Sequence, residues 1–263
     1  MRTKHIITCL LLLTTIWRVD AKDYTIGNKF IQRSFELKEG IFSSKSIRNK
    51  QKKEKLITSL NYDFQLRLSK DVDIDSEDTF LTNKDFICDN IVKEDKYTLT
   101  AYLKNEEHGL EIEIHYNVSK EDPFIRKYLK IKTTKEITLE RIDVDILKNK
   151  DIFQPYKERK ITSLAPAQWK PGLGQPLYAK KTGLFLGVEF PASYNFVQNT
   201  NAYCGYLQGK VLHKNTTYTS YKAVIGSASK DVTLQRAFFA YIDKSGSKPK
   251  SIRHTKDRHI LIQ

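Results

Sequence analysis

The nine residues Leu110-Glu-Ile-Glu-Ile-His-Tyr-Asn-Val118 alternate apolar and polar without a break. A period of two puts Leu110, Ile112, Ile114, Tyr116 and Val118 on one face and Glu111, Glu113, His115 and Asn117 on the other. That pattern is an antiparallel strand with one wet side, and it does not suit a helix, whose faces repeat every three to four residues. Other segments repeat it: Phe30–Leu37, Asp63–Leu68, Tyr97–Leu103, Phe124–Thr133, Tyr203–Leu212 and Thr217–Ser227 all read as strands. Glu39-Gly40 marks a hairpin turn into Ile41-Phe42. The strand from Ile137 to Leu147 changes phase between Leu139 and Ile142, which predicts a β-bulge near Glu140-Arg141. Leu184-Phe-Leu-Gly-Val188 is apolar on both faces, as in a strand covered on both sides. The fold class is therefore all-β and antiparallel. One helix is expected, over Asp231–Lys244, with Leu234, Ala237, Phe238, Tyr241 and Ile242 on its apolar stripe and Ser229 or Asp231 as N-cap. Phe238, Phe239, Tyr241 and Ile242 cannot all face one sheet.

The chain of 263 residues is long enough for one large β domain with a full core. Residues 1–21 read as a secretory leader: a short basic start, an apolar run below the roughly 20 residues that span a bilayer, then Val19-Asp20-Ala21 as the cleavage site. The expected mature protein is secreted or periplasmic, with no membrane span after cleavage. Residues 22–245 form the domain and 246–263 a basic tail. Cleavage leaves Cys88 and Cys204, which form either one disulfide or two free thiols. No C-x-x-C pair or Cys/His cluster suggests zinc. Asp71, Asp73, Asp75, Glu77 and Asp78 have the acidic density of a calcium loop, but lack the glycine and terminal Glu of an EF-hand. Val72 and Ile74 between them suit a strand edge, so no metal or cofactor is assigned. The net charge of +14 is dispersed, and the basic run Arg48–Lys53 has no interleaved aromatics, so nucleic acid is not an expected partner. Asn117-Val-Ser119 and Asn215-Thr-Thr217 match the glycosylation pattern, which matters only in a eukaryotic secretory host.

Several blocks in order resemble one family. T-I-G-N-K-F-I-Q-R-S-F followed by S-I-R-N-K, then D-P-F-I-R-K-Y-L-K-I, G-Q-P-L-Y, G-L-F-L-G-V-E-F-P-A-S-Y-N and the helix Q-R-A-F-F-A-Y-I-D resemble the N-terminal domain of α-galactosidase-like glycoside hydrolases, family 36 and relatives. The resemblance covers about residues 24–245. It implies a two-layer antiparallel β-supersandwich, shared with galactose mutarotase, with one C-terminal helix leading towards a (β/α)8 catalytic barrel. The family's catalytic carboxylates lie on that barrel. The tail H-T-K-D-R-H-I-L-I-Q does not match the family's first barrel strand, so no catalytic residue carries over and a truncated or stand-alone domain is expected.

Three functions compete. In the first, the domain is non-catalytic and carbohydrate-associated, binding a galactoside weakly through Trp169, Gln175, Tyr178, Glu189, Tyr194 and Asn195, whose rings stack on sugars while amides and carboxylate bind hydroxyls. The same residues equally suit a structural corner that supports the barrel. In the second, the chain is a mutarotase-type enzyme with His115 or His213 as acid and Glu189 as base. In the third, it is a structural module docking a separate catalytic chain.

Overall fold

A computed structural model describes residues 21–57, 62–69, 79–148, 153–155, 174–198 and 200–245. The strands β1 (Lys22–Gly27), β2 (Ile31–Lys38), β3 (Ile41–Asn49) and β4 (Glu54–Ile57) form an antiparallel meander. Glu39 and Gly40, at φ 54° and 77°, make the left-handed two-residue turn that matches the twist of β2 and β3. Then follow β5 (Gln65–Ser69), β6 (Thr79–Thr82), β7 (Ile87–Val92), β8 (Thr98–Asn105), β9 (Leu110–Val118), β10 (Phe124–Thr133) and β11 (Ile137–Lys148). The chain continues through β12 (Phe153–Pro155), β13 (Leu177–Ala179), β14 (Leu184–Val188), β15 (Tyr194–Gln198), β16 (Asn201–Leu212), β17 (Thr217–Thr219) and β18 (Ala223–Ser227) to helix α1 (Leu234–Ser245).

Besides the meander there are two larger sheets. One has nine strands in the order β12-β13-β14-β18-β10-β9-β8-β7, with β17 also on β10; the other has five, β15-β16-β11-β5-β6. Every pairing among them is antiparallel. The bulge expected near Glu140 is present, and a second lies between Asp143 and Asp145. The second leaves Val144 unpaired and resets the phase, so that Asp145 and Leu147 are buried on the core side. The segment Thr217–Ser227 is two strands, not one. Three residues, Ser220 to Lys222, oppose two on β10, and Ser220 Oγ accepts from Leu129 N at 2.9 Å in place of a main-chain partner.

One core joins all three sheets, built from residues such as Phe35 and Phe42, Leu66 and Ile142, and Leu99, Ile114 and Leu186. At its centre lie four fully buried charges. Arg33 (β2) grips Asp145 (β11) through two bonds of 2.7 and 2.8 Å, and Lys127 (β10) donates to Asp63 Oδ2 at 2.8 Å and Asp145 Oδ1 at 3.3 Å. Ser44 and the Tyr116 hydroxyl each donate to Asp63 at 2.5 Å. The two cations cancel the two anions, and five of the six residues come from strands of all three sheets, with Asp63 just before β5, so the cluster fixes how the sheets sit on one another. Cys204 is buried in the core and Cys88 is half-buried; both are free thiols.

Helix α1 starts later than expected. Thr233 caps it, accepting from Arg236 N on its hydroxyl at 3.3 Å and from Ala237 N on its carbonyl at 3.0 Å, so neither Ser229 nor Asp231 is the cap. The helix lies on the outer face of β13, β14, β18 and β10, where Tyr178, Phe185, Val224 and Phe124 enclose Tyr241 in a second, smaller core. Phe238 and Ile242 pack on that core, while Phe239 is 60% exposed. The close approach depends on Gly226: a Cβ there would come within 2.1 Å of the Phe185 ring.

Candidate functional site

The six residues singled out in the sequence separate into distinct places. Trp169 lies outside the described residues. Gln175 and Asn195 meet: Asn195 is fully buried, and its Nδ2 donates to the Gln175 carbonyl at 2.7 Å and to Ser193 Oγ at 3.4 Å. Gly174 beside them has φ +75°, and its N–H donates to the Ser193 carbonyl at 2.7 Å. Asn195 thus staples the corner at 174–175 to β15. Tyr194 faces the other way, 5.4 Å from Phe196, which stacks 4.8 Å from Tyr203, with the Arg141 guanidinium 5.9 and 5.2 Å from the first two rings. Tyr178 is buried under helix α1.

Glu189, at the end of β14, joins Tyr178 at the helix. Its Oε1 accepts from Arg126 Nε at 2.6 Å and from the Tyr241 hydroxyl. Burial and the adjacent carboxylate push the Tyr241 hydroxyl far above its ordinary pKa, so it remains a donor. Burial opposes the Arg126 charge, but Tyr241 and Glu189 outweigh it and raise its pKa. Arg126 also covers the rings of Phe124 and Tyr241 at 5.0 and 5.4 Å. This carboxylate therefore holds the helix to the sheet. Arg126 and Tyr241 were not singled out in the sequence, where nothing shows that β10, the end of β14 and a helix more than a hundred residues after β10 converge.

Beside Arg126 the outer face of the nine-stranded sheet changes character. A cavity of about 280 Å³ is lined by Thr98 and Thr100 of β8, His115 and Asn117 of β9, and Arg126 and Tyr128 of β10, with Glu94 and Lys222 among its other lining residues. The register explains the grouping, since Thr100, His115 and Tyr128 stand in one row across three strands and Thr98, Asn117 and Arg126 in the next. His115 stacks on Tyr128, ring centres 4.5 Å apart and 5° from parallel. Both its ring nitrogens are engaged: Nε2 lies 2.7 Å from Glu113 and Nδ1 3.1 Å from the Thr100 hydroxyl. Burial tends to raise the Glu113 pKa, but hydrogen bonds from His115 and Lys130 overcome it and hold the carboxyl below its usual range. His213, the other histidine considered as an acid, sits on the surface 2.8 Å from Glu136. Among the described residues no group of three His, Cys, Asp or Glu is placed to hold a metal ion; the acidic run Asp71–Asp78 lies outside them.

No protein-family model matches the chain, and no curated protein does. Solved structures do. A variant of the family 36 α-galactosidase AgaA of Geobacillus stearothermophilus, in complex with 1-deoxygalactonojirimycin, matches at a TM-score of 0.51 and 11% identity, over 80% of this chain and 41% of that one. A doubly substituted AgaA in complex with raffinose matches at 0.52 and 10%, over 79% and 41%. AgaB of the same organism matches at 0.50 and 11%, over 79% and 40%. The chain thus spans about 41% of the length of these enzymes. What it shares with the N-terminal portion of these enzymes is the fold, an antiparallel β-supersandwich with one C-terminal helix; among the described residues there is no catalytic barrel.

Proposed function

We propose that this chain is the non-catalytic, carbohydrate-associated β-supersandwich module of an α-galactosidase-like protein, and that it supports a catalytic barrel rather than cleaving glycosidic bonds itself. The observation that carries this reading is the state of three carboxylates, the Glu189 singled out in the sequence and the buried pair Asp63 and Asp145. Glycoside hydrolysis needs two carboxyl groups flanking the sugar, about 5–10 Å apart and open to substrate. Glu189 is committed to Arg126 and Tyr241. Asp63 and Asp145 are close together but sealed in the core, each 1% exposed or less. The fold agrees, being that of the portion of family 36 enzymes that resembles this chain. Helix α1, held by Glu189 and carrying an exposed Phe239, is the element we assign to barrel support.

The test is an assay of purified protein with aryl α-galactosides and, by polarimetry, with freshly dissolved α-galactose. Neither hydrolysis nor accelerated mutarotation is expected. Turnover that survives purification and falls in Glu189→Gln would place chemistry at this carboxylate. Accelerated mutarotation lost in His115→Ala would favour the epimerase reading.

A further inference from the structure

We propose that the apolar groove along one flank of helix α1 is the docking site for a segment of this same chain, Ile260-Leu261-Ile262. The groove has a volume of about 230 Å³. Phe124 and Phe185, which are buried, form its floor, and Val232, Ala237 and Ala240 form its helix side. Arg236, Ala240 and Lys244 stand four residues apart, so they make one row along the helix. Alanine at 237 and 240, on the flank next to the two rings, keeps the groove open. The lining carries no carboxylate, and its Lys244 is already paired with Asp122. What the groove offers is therefore apolar surface, and an aliphatic occupant suits it.

Position and sequence select the occupant. The groove extends to Lys244, one residue before the helix ends at Ser245, so the chain that follows the helix starts at its mouth. Gly246 and Pro249 come next, residue types that stop a helix and let the chain reverse. The helix from Val232 to Lys244 is about 18 Å long, whereas the linker from Ser245 to Ile260 can span up to about 50 Å. Ile252 stands alone between Ser251 and Arg253, and Ile260-Leu261-Ile262 is the one apolar run after the helix. In an extended segment Ile260 and Ile262 share a face about 6.6 Å apart, so both can enter the groove. The tether sets the strength. A linker of this kind gives an effective concentration on the order of millimolar, so a contact no tighter than millimolar is about half populated at any protein concentration. Phe239 does not line the groove, so the segment covers a different face of α1 from the one carrying that exposed ring.

The experiment is methyl NMR of the full chain with labelled isoleucine δ1 methyls. Nuclear Overhauser contacts are expected from Ile260 or Ile262 to the Phe124 and Phe185 rings and the Ala240 methyl, unchanged on dilution. Ile260→Ser together with Ile262→Ser should abolish them and speed amide exchange over residues 240–244 roughly twofold, the change expected on losing a cover that is half populated. Ala240→Glu, at an exposed helix position, should abolish them while leaving the rest of the methyl spectrum in place. Free-peptide shifts at Ile260 and Ile262 without such contacts overturn the proposal. So do contacts that vanish on dilution, which would make the occupant a second copy, and contacts that survive Ala240→Glu, which would seat the segment elsewhere. Contacts from Ile6, Ile7 or Ile16 instead would make residues 1–21 the occupant and overturn it equally. None of these outcomes touches the non-catalytic reading, because that reading is decided by α-galactoside turnover.

Discussion

Lys127→Met should cost about 3–5 kcal/mol of folding stability, the range for breaking a buried ion pair from one side. The methionine keeps most of the stem, so little packing is lost; what goes is the charge that donates to the Asp63 carbonyl at 2.5 Å, its carboxylate at 2.8 Å and Asp145 at 3.3 Å. Two buried carboxylates then share Arg33, which reaches Asp63 only at 3.4 Å. Burial alone would raise the Asp63 pKa, yet Lys127 and Arg33 together bring it from 3.8 down to about 2. That difference corresponds to about 2 kcal/mol of stability. Because the folded pKa is depressed, the contribution is complete above the unfolded value near 4 and is lost as pH falls towards 2. The penalty in Lys127→Met should therefore be largest at pH 7 and shrink in acid. Urea unfolding at neutral and acidic pH, read as midpoints at constant slope, measures it. Adding Asp63→Asn to the variant should recover more than half of the loss, since the Arg33–Asp145 pair is then left balanced. A loss below about 1 kcal/mol at neutral pH, less than a buried unpaired charge can cost, would refute this account of the cluster, as would a penalty that does not change with pH.

Tyr241→Phe keeps the ring but removes the donor to Glu189, so about 1.5–3 kcal/mol should be lost, and hydrogen exchange should quicken along α1 before the sheets. Gly226→Ala should cost about 1–3 kcal/mol by overpacking against Phe185; no change in thermal midpoint would mean the ring is free to move. If residues 1–21 are a leader, the exported protein should begin at Lys22, and mass spectrometry of the secreted form would show the full-length mass instead if they are not.

Most of the strands were legible because their faces differ. Leu110–Val118 and Leu184–Val188 occupy the spans that alternation and continuous apolarity indicate, and the Glu140 bulge follows from a phase change along one segment. The helix was legible as a stripe, but its start was not, because Ser229, Asp231 and Thr233 can all cap and only packing against Phe185 and Val224 selects among them. The charged core was not legible at all. Arg33 and Lys127 occupy core positions of strands whose neighbours are apolar, and a lone basic residue there reads as an irregularity until its partners appear. Those partners, Asp63 and Asp145, lie 30 and 112 residues from Arg33 in the chain, and the bulge that turns Asp145 inward has no sequence signature of its own.

The candidate site shows the same limit in a sharper form. Glu189 was conspicuous because it follows a buried strand, and it does have a specific role, yet its partners turn a carboxylate that resembles a sugar ligand into an anchor for the helix. His115 and Asn117 were placed on the wet face of their strand, where a solvated side chain is the ordinary outcome, and Tyr128 was not singled out. What sets them apart is register: the β9–β10 pairing puts His115 opposite Tyr128, and the β8–β9 pairing puts Thr100 on its other side. One outer sheet face thus carries two surfaces, divided at Arg126. On one side Phe124, Val224 and Phe185 require a cover and receive helix α1; on the other, Thr98, Asn117 and Tyr128 present a polar surface to solvent. Arg126 belongs to both, its Nε on Glu189 and its side chain in the cavity wall. Docking of the helix and the shape of the cavity are therefore coupled through one guanidinium. Glu189→Gln should accordingly loosen α1 and shift the amide signals that border the cavity together, whereas Asn117→Ala should leave helix exchange unchanged. Equal effects of the two variants on helix exchange would sever that link.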